Sequence, residues 1–163
     1  MNCPNCGAAM RLDIGKECLA CDYCGSLHFP EPEVDGVCVL DGKSELKCPI
    51  CAIPLAEAML SGRPLLYCER CRGVLVTMEI FVEIIIILRA RRTQPPESPH
   101  GFDKRDLKRV VVCPQCGERM DTHPYAGPGR VAIDSCSNCH LNWLDHSELH
   151  QIIAAPEWHN EDD

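Results

Sequence analysis

"VCPQCGERM", residues 112–120, and "SCSNCHLNWLD", residues 135–145, decide how this chain reads. Each holds two cysteines separated by two residues. Zinc takes four ligands tetrahedrally, at about 2.3 Å per sulfur. Two cysteines at this spacing fit on one tight turn and point at a common ion. A second such turn closes the site, so two short stretches that are polar and far apart in sequence are predicted to meet at one metal.

The same pattern occurs three times. Cys3, Cys6, Cys21 and Cys24 form the first set, Cys48, Cys51, Cys68 and Cys71 the second, and Cys113, Cys116, Cys136 and Cys139 the third. The stretches between the pairs are 14, 16 and 19 residues long, close to the paired-cysteine zinc signature. Each copy opens Cys-Pro-x-Cys and places Met10, Leu55 or Met120 four residues after its second cysteine. Proline restricts the backbone that enters the turn. Gly7, Gly25 and Gly117 follow a second cysteine and supply a positive φ at little cost, while Gly73 comes one residue later, after Arg72. Glycine-centred turns at Gly15-Lys16, "SGRP" and "AGPGR" lie between short apolar runs, which predicts a β-hairpin in each copy. In "CLACDYC", Cys18 and Cys21 are an alternative pair to Cys21 and Cys24; the latter are preferred because "CDYCG" ends on the glycine. Cys38, in "GVCVLD", reads as a small buried hydrophobe.

The predicted fold is therefore a small metal-stabilised α+β protein: three tandem zinc ribbons, each a short antiparallel hairpin, with helices after the second and third. The cofactor is zinc, three ions. A unit of about 30 residues buries too little apolar surface to fold alone. Structural zinc supplies roughly 10–16 kcal/mol of apparent binding free energy. Four thiolates also leave no open position for catalysis. No phosphate-cradling glycine loop, Ser-His-Asp set or His-Glu-x-x-His is present, so an enzyme is not expected.

Composition fits this reading. Fourteen cysteines in 163 residues would suggest disulfides in a secreted chain. The start, MNCPNCGAAM, has no basic stretch before an apolar run, so a reducing cytoplasm is expected, where paired cysteines hold metal. The longest apolar run, Val74 to Leu88, contains Glu79 and Glu83 and is too short for a membrane span. Formal charge is −8, and three four-thiolate zinc sites at about −2 each take it to about −14. That charge disfavours nucleic acid, and aromatic residues at 5% offer few bases a stacking platform.

Past its last cysteine the third copy reads "CHLNWLDHSELHQII". Its two cysteine pairs, the hairpin between them, and Trp143, Leu144, Asp145, Glu148 and Leu149 resemble the TFIIB-type zinc-finger family, a zinc ribbon widespread in bacterial proteins. The resemblance covers residues 111–155, is weaker over 46–90, and leaves 1–28 as a plain zinc ribbon. The third copy departs at Leu141, where the family usually has glycine. The resemblance implies zinc binding and the ribbon fold; its link to transcription is an implication of the name. Independently, Asp145 and Glu148 suit a capping box for a helix from about His146 to Ala154, stopped before Pro156.

These readings divide the chain into a first ribbon (1–40), a second ribbon plus an apolar helix (41–93), a linker (94–108), a TFIIB-type ribbon plus short helix (109–156) and an acidic tail (157–163). Thr77 can start the apolar helix, and nearly all its positions to Leu88 are apolar, so it must be covered. The neighbouring ribbons can cover it. So can a protein partner or second copy binding through 75–92, with Ile84, Leu88 and Trp143 as candidate interaction residues. Two alternatives stand beside a non-enzymatic interaction scaffold. One is nucleic-acid binding through the seven Lys and Arg between Arg89 and Arg109. The other is a thiol switch with Cys18 and Cys38 as resolving thiols.

Overall fold

A hairpin forms between the cysteine pairs of every copy in the computed structural model, which describes residues 1–32, 35–98, 104–127 and 130–156. The first ribbon contains β1 (Arg11–Asp13), β2 (Cys18–Ala20) and β3 (Leu27–His28). The second contains β4 (Cys38–Lys47), β5 (Pro54–Leu60), β6 (Arg63–Tyr67) and β7 (Val74–Thr77), followed by helix α1 (Met78–Ala90). The third contains β8 (Asp121–Pro124), β9 (Ala132–Cys136) and β10 (Leu141–Leu144), followed by α2 (Glu148–Ala154). The acidic tail 157–163, part of the linker (99–103) and part of the third turn (128–129) lie outside the described residues.

The turn joining β5 to β6 shows why the sequence folds this way. Ser61 and Gly62 have φ of 49° and 73°. Two successive positive φ angles make the turn whose twist matches its strands. Gly62 is also fixed by packing, since a Cβ there would sit 2.8 Å from the Ile14 carbonyl oxygen of the first ribbon.

The second and third ribbons are not separate beads. They share one seven-stranded antiparallel sheet, ordered β4-β5-β6-β7-β10-β9-β8. The seam is β7 against β10, with Val74 opposite Leu144 and Thr77 opposite Leu141. Each is the apolar strand after its ribbon's last cysteine, so each covers the other's open edge. The first ribbon keeps its own three-stranded sheet. β4 begins at Cys38, with Cys38 opposite Met59 and Val39 opposite Ala58 of β5.

Alternation along the seam strands sends side chains to two cores. On one face, Val74, Val76 and Leu144 join Phe81, Ile84 and Ile85 of α1, Ile152 of α2, and Val131 and Ile133 of the third ribbon. Phe81 meets Tyr125 edge to face at 5.5 Å between ring centres. On the other face, Leu75, Leu141 and Trp143 pack with Leu55, Val111 and Met120. The run Val74–Leu88 therefore splits at Thr77. Before it the chain is a strand; after it the Thr77 hydroxyl accepts the Ile80 amide at 3.3 Å and starts α1.

The second helix differs from expectation. It starts at Glu148, after Ser147, rather than at His146. Half of the anticipated capping box forms, as the Glu148 carboxylate accepts the Asp145 amide at 2.7 Å. The Asp145 carboxylate turns away, accepting the Trp143 indole N–H at 3.2 Å and pairing with Arg109. At the other end, Arg89 donates to the carbonyls of Ile152 and Ala155 at 2.7 and 3.0 Å, and Arg92 donates to those of Ile153 and Ala155 at 3.0 and 2.7 Å. The arginines ending α1 thus satisfy the orphan carbonyls ending α2.

Gly73 tests this packing. A Cβ there would lie 2.3 Å from the Trp143 ring, which is fully buried and has nowhere to move. Gly73→Ala is expected to destabilise the zinc-loaded protein by about 1–3 kcal/mol in urea. Gly15→Ala, whose Cβ meets only an Asp13 oxygen at 3.6 Å, is expected to shift stability by less than about 0.5 kcal/mol. Equal effects would remove Trp143 as the reason for the glycine.

Candidate metal centres

Each cysteine pair sits on a tight knuckle. In the first, the Gly7 amide donates to the Cys3 carbonyl at 2.8 Å, and the Cys3 amide donates to the Ala8 carbonyl at 2.7 Å. The same two bonds recur at Cys21, Cys48, Cys68 and Cys113. The residue after the second cysteine is left-handed in all six knuckles: Gly7, Gly25, Ala52, Arg72, Gly117 and His140. Glycine takes this angle freely, whereas a side chain there costs on the order of 1–3 kcal/mol. Arg72, not Gly73, therefore supplies the turn in the second ribbon's closing knuckle. Gly73 serves the approach of Trp143 instead.

Pairs of knuckles bring four thiols together. The sulfurs of Cys3, Cys6, Cys21 and Cys24 all lie within 4.8 Å of one another, as do those of Cys48, Cys51, Cys68 and Cys71 and those of Cys113, Cys116, Cys136 and Cys139. Tetrahedral zinc at about 2.3 Å per sulfur sets the sulfurs about 3.8 Å apart. Sulfurs across the knuckles approach to 3.6 Å for Cys3 with Cys24, 3.5 Å for Cys6 with Cys21, 3.6 Å for Cys48 with Cys71, and 3.6 Å for Cys116 with Cys136. All are far longer than a disulfide bond. Each group of four is able to hold one zinc ion. Cys18 is fully buried in β2 and lies outside the first group, whereas Cys24 lies within it. Cys38 is half-buried, with its thiol 3.5 Å from the Pro30 carbonyl, and burial pushes its pKa up.

Donors inside the knuckles favour thiolate at chosen sulfurs. The Ser26 hydroxyl, 3.1 Å from the Cys24 sulfur, and then the Ser26 amide hold that thiol down to about 6. The amide of Glu118 holds Cys116 at about 7. Burial pushes Cys48 and Cys113 up. A divalent cation is the natural counter-charge for such a set.

Residues 112–155 match the family model described as transcription factor zinc-finger, the TFIIB-type zinc ribbon. The similarity to a TFIIB-type zinc ribbon is thus confined to this segment. No curated protein and no solved structure matches the chain. The second ribbon repeats the order of the TFIIB-type segment: knuckle, hairpin, knuckle, strand, helix. The first is a plainer ribbon, with no helix among its described residues.

The candidate interaction residues lie wholly or partly inside the molecule. Trp143, Ile84 and Leu88 were candidates for contact with a partner. Trp143 is fully buried among the cysteines of the second and third sites, and Ile84 is buried under α1. Leu88 is partly buried against the same core. The helix turns Val82 and Ile86 outward instead, at 53% and 62% exposure. The basic cluster is also largely occupied. Arg89 and Arg92 cap α2, Arg91 pairs with Glu17 at 2.7 Å, and Arg109 is enclosed by acids. Exposed His140, His146 and His150 belong to no metal-sized cluster among the described residues.

That acidic enclosure was missed from the sequence. One Arg109 nitrogen lies 2.7 Å from Asp134 and 2.9 Å from Glu148, and the guanidinium also pairs with Asp145. The one available signal was an aspartate, Asp134, inside the apolar strand "VAIDSC". Burial pushes the Glu148 carboxyl up to about 7, although Arg109 acts against it, and burial raises Asp134 as well. A single cation cannot offset three buried or half-buried carboxylates. A carboxyl whose pKa is higher folded than unfolded takes up protons on folding. Its stabilisation is complete below its unfolded pKa and is lost as pH rises through the folded value. The stability of wild type relative to Glu148→Gln is therefore expected to fall between about pH 4.5 and 7, since zinc-thiolate titration is common to both. A flat or rising difference in urea midpoints would contradict this.

Proposed function

We infer that the protein is a non-enzymatic, cytoplasmic zinc-binding scaffold whose three structural four-cysteine sites hold a surface for docking another protein or a second copy of itself. Four thiolates per site leave no position for substrate. Among the described residues no helix is long and apolar enough to cross a membrane.

The observation that carries the docking role is the outer face of α1. Its inner face is committed to the core, yet Val82 and Ile86, one helical turn apart, remain more than half exposed. Beside them Glu79 is exposed, and Glu83 pairs with Arg63 at the rim. An apolar centre edged by charge suits a protein contact.

Nucleic acid is the competing reading, motivated by the name of the matching family. The formal charge of −8 and the internal use of Arg89, Arg92 and Arg109 weigh against it. A salt titration against mixed DNA and RNA separates the two, because phosphate-driven binding strengthens as salt falls.

Val82→Asp with Ile86→Asp should leave the zinc content and circular dichroism unchanged, as both side chains face solvent. The double variant is expected to abolish self-association in light scattering or capture of partners in pull-down. If both persist unchanged, the α1 face is not the docking surface.

A further inference from the structure

The three sites are built alike at the sulfurs but not around them. In the second and third, Cys48, Cys68, Cys113 and Cys136 are buried in one apolar cluster with Trp143, and their four partners pack against it. Both belong to the seven-stranded sheet. In the first, Cys6 and Cys24 are exposed, and none of the four cysteines belongs to either apolar core. Among the described residues, β1, β2 and β3 form a sheet separate from the large one. Its apolar side chains are spent outward: Tyr23 is 84% exposed and Phe29 62%, with Ile14 and Leu27 also exposed. A module with so little core depends almost wholly on its metal.

The first ribbon nonetheless covers something. An apolar cleft of about 490 Å³ lies between it and the large sheet. Met10, Leu12 and Leu19 line one wall, and Leu46, Leu66 and Leu141 line the other. Among the described residues, several contacts tie the ribbon to the rest of the chain. Arg91 pairs with Glu17 at 2.7 Å with both side chains well exposed, the Cys38 thiol meets the Pro30 carbonyl, and the Ile14 carbonyl lies against Gly62.

We propose that the first ribbon is an oxidant-sensitive lid, whose four thiolates react first and whose loss of structure uncovers the apolar cleft on the sheet. The chemistry needs a hydroperoxide as oxidant. One thiolate attacks a peroxide oxygen, the O–O bond breaks, and a sulfenic acid forms with release of one water or alcohol after protonation. A neighbouring thiolate then attacks that sulfur, the S–O bond breaks, a second protonation releases water, and a disulfide remains. Cys3 with Cys24, at 3.6 Å, and Cys6 with Cys21, at 3.5 Å, are two such neighbouring pairs. Two peroxides consume all four thiolates, and the chain has no ligand left there to hold an ion. A dithiol reductant returns the electrons and restores the site. Exposure of Cys6 and Cys24 sets the order of reaction, because oxidation follows thiolate access.

This inference rests on the metal-binding reading of the sites and not on the docking role of α1. Its test uses the whole zinc-loaded chain, hydrogen peroxide, a colorimetric zinc chelator, and anilinonaphthalene sulfonate as a probe of apolar surface. Samples are quenched with a thiol alkylator and mapped by peptide mass. The expected result is one equivalent of zinc released about tenfold faster than the other two, as access and local opening dictate. Cys3, Cys6, Cys21 and Cys24 should be the oxidised set in that phase, with a rise in probe fluorescence that a dithiol plus zinc reverses. Release of all three equivalents at one rate, or earlier oxidation of any cysteine of the second or third site, overturns the ordering. Release of the first equivalent without a rise in fluorescence overturns the lid.

Discussion

Four sulfurs must converge to within a few ångströms at three separate places, and everything else in this chain is arranged around that demand. Convergence requires knuckles, and knuckles require a left-handed residue after each second cysteine. The chain meets the requirement even where it has no glycine, at Ala52, Arg72 and His140. Each of those residues is strained in a way that only a strong local tie justifies. Four thiolates around one divalent ion provide such a tie.

From this follows the division of labour between metal and hydrocarbon. Taken singly, a ribbon has a hairpin with two wet faces and an open edge. The second and third ribbons solve both problems together, by pairing β7 with β10 and laying α1 and α2 over one face of the joint sheet. Trp143 fills the opposite face between their knuckles, so the two buried sites reinforce one core. The first ribbon has no such partner strand and no helix of its own among the described residues. The same chemistry thus sits in two environments, one sealed and one accessible.

Short-range chemistry was legible in the sequence and long-range arrangement was not. The three four-cysteine groups could be read because two-residue spacing and turn glycines act locally. Hairpins followed from the separate turns between the cysteine pairs, and Thr77 marked the start of α1. The shared sheet could not be read, because "VLVT" and "LNWL" are merely apolar runs until they face each other. Nor could the inner side of α1 be told from its outer side, since apolar residues surround it; Ile84 proved internal, and Val82 and Ile86 external. Arg89, Arg92 and Arg109 looked like a cationic patch because sequence shows charge but not partners. In the folded chain they answer helix carbonyls and buried carboxylates.

The most direct test of this account is elemental analysis of the purified chain, followed by far-ultraviolet circular dichroism before and after a strong zinc chelator. Three zinc ions per chain are expected, with loss of the ordered β spectrum when they are stripped under reducing conditions. A chain that carries no zinc, or one whose spectrum survives complete removal of metal, would contradict it.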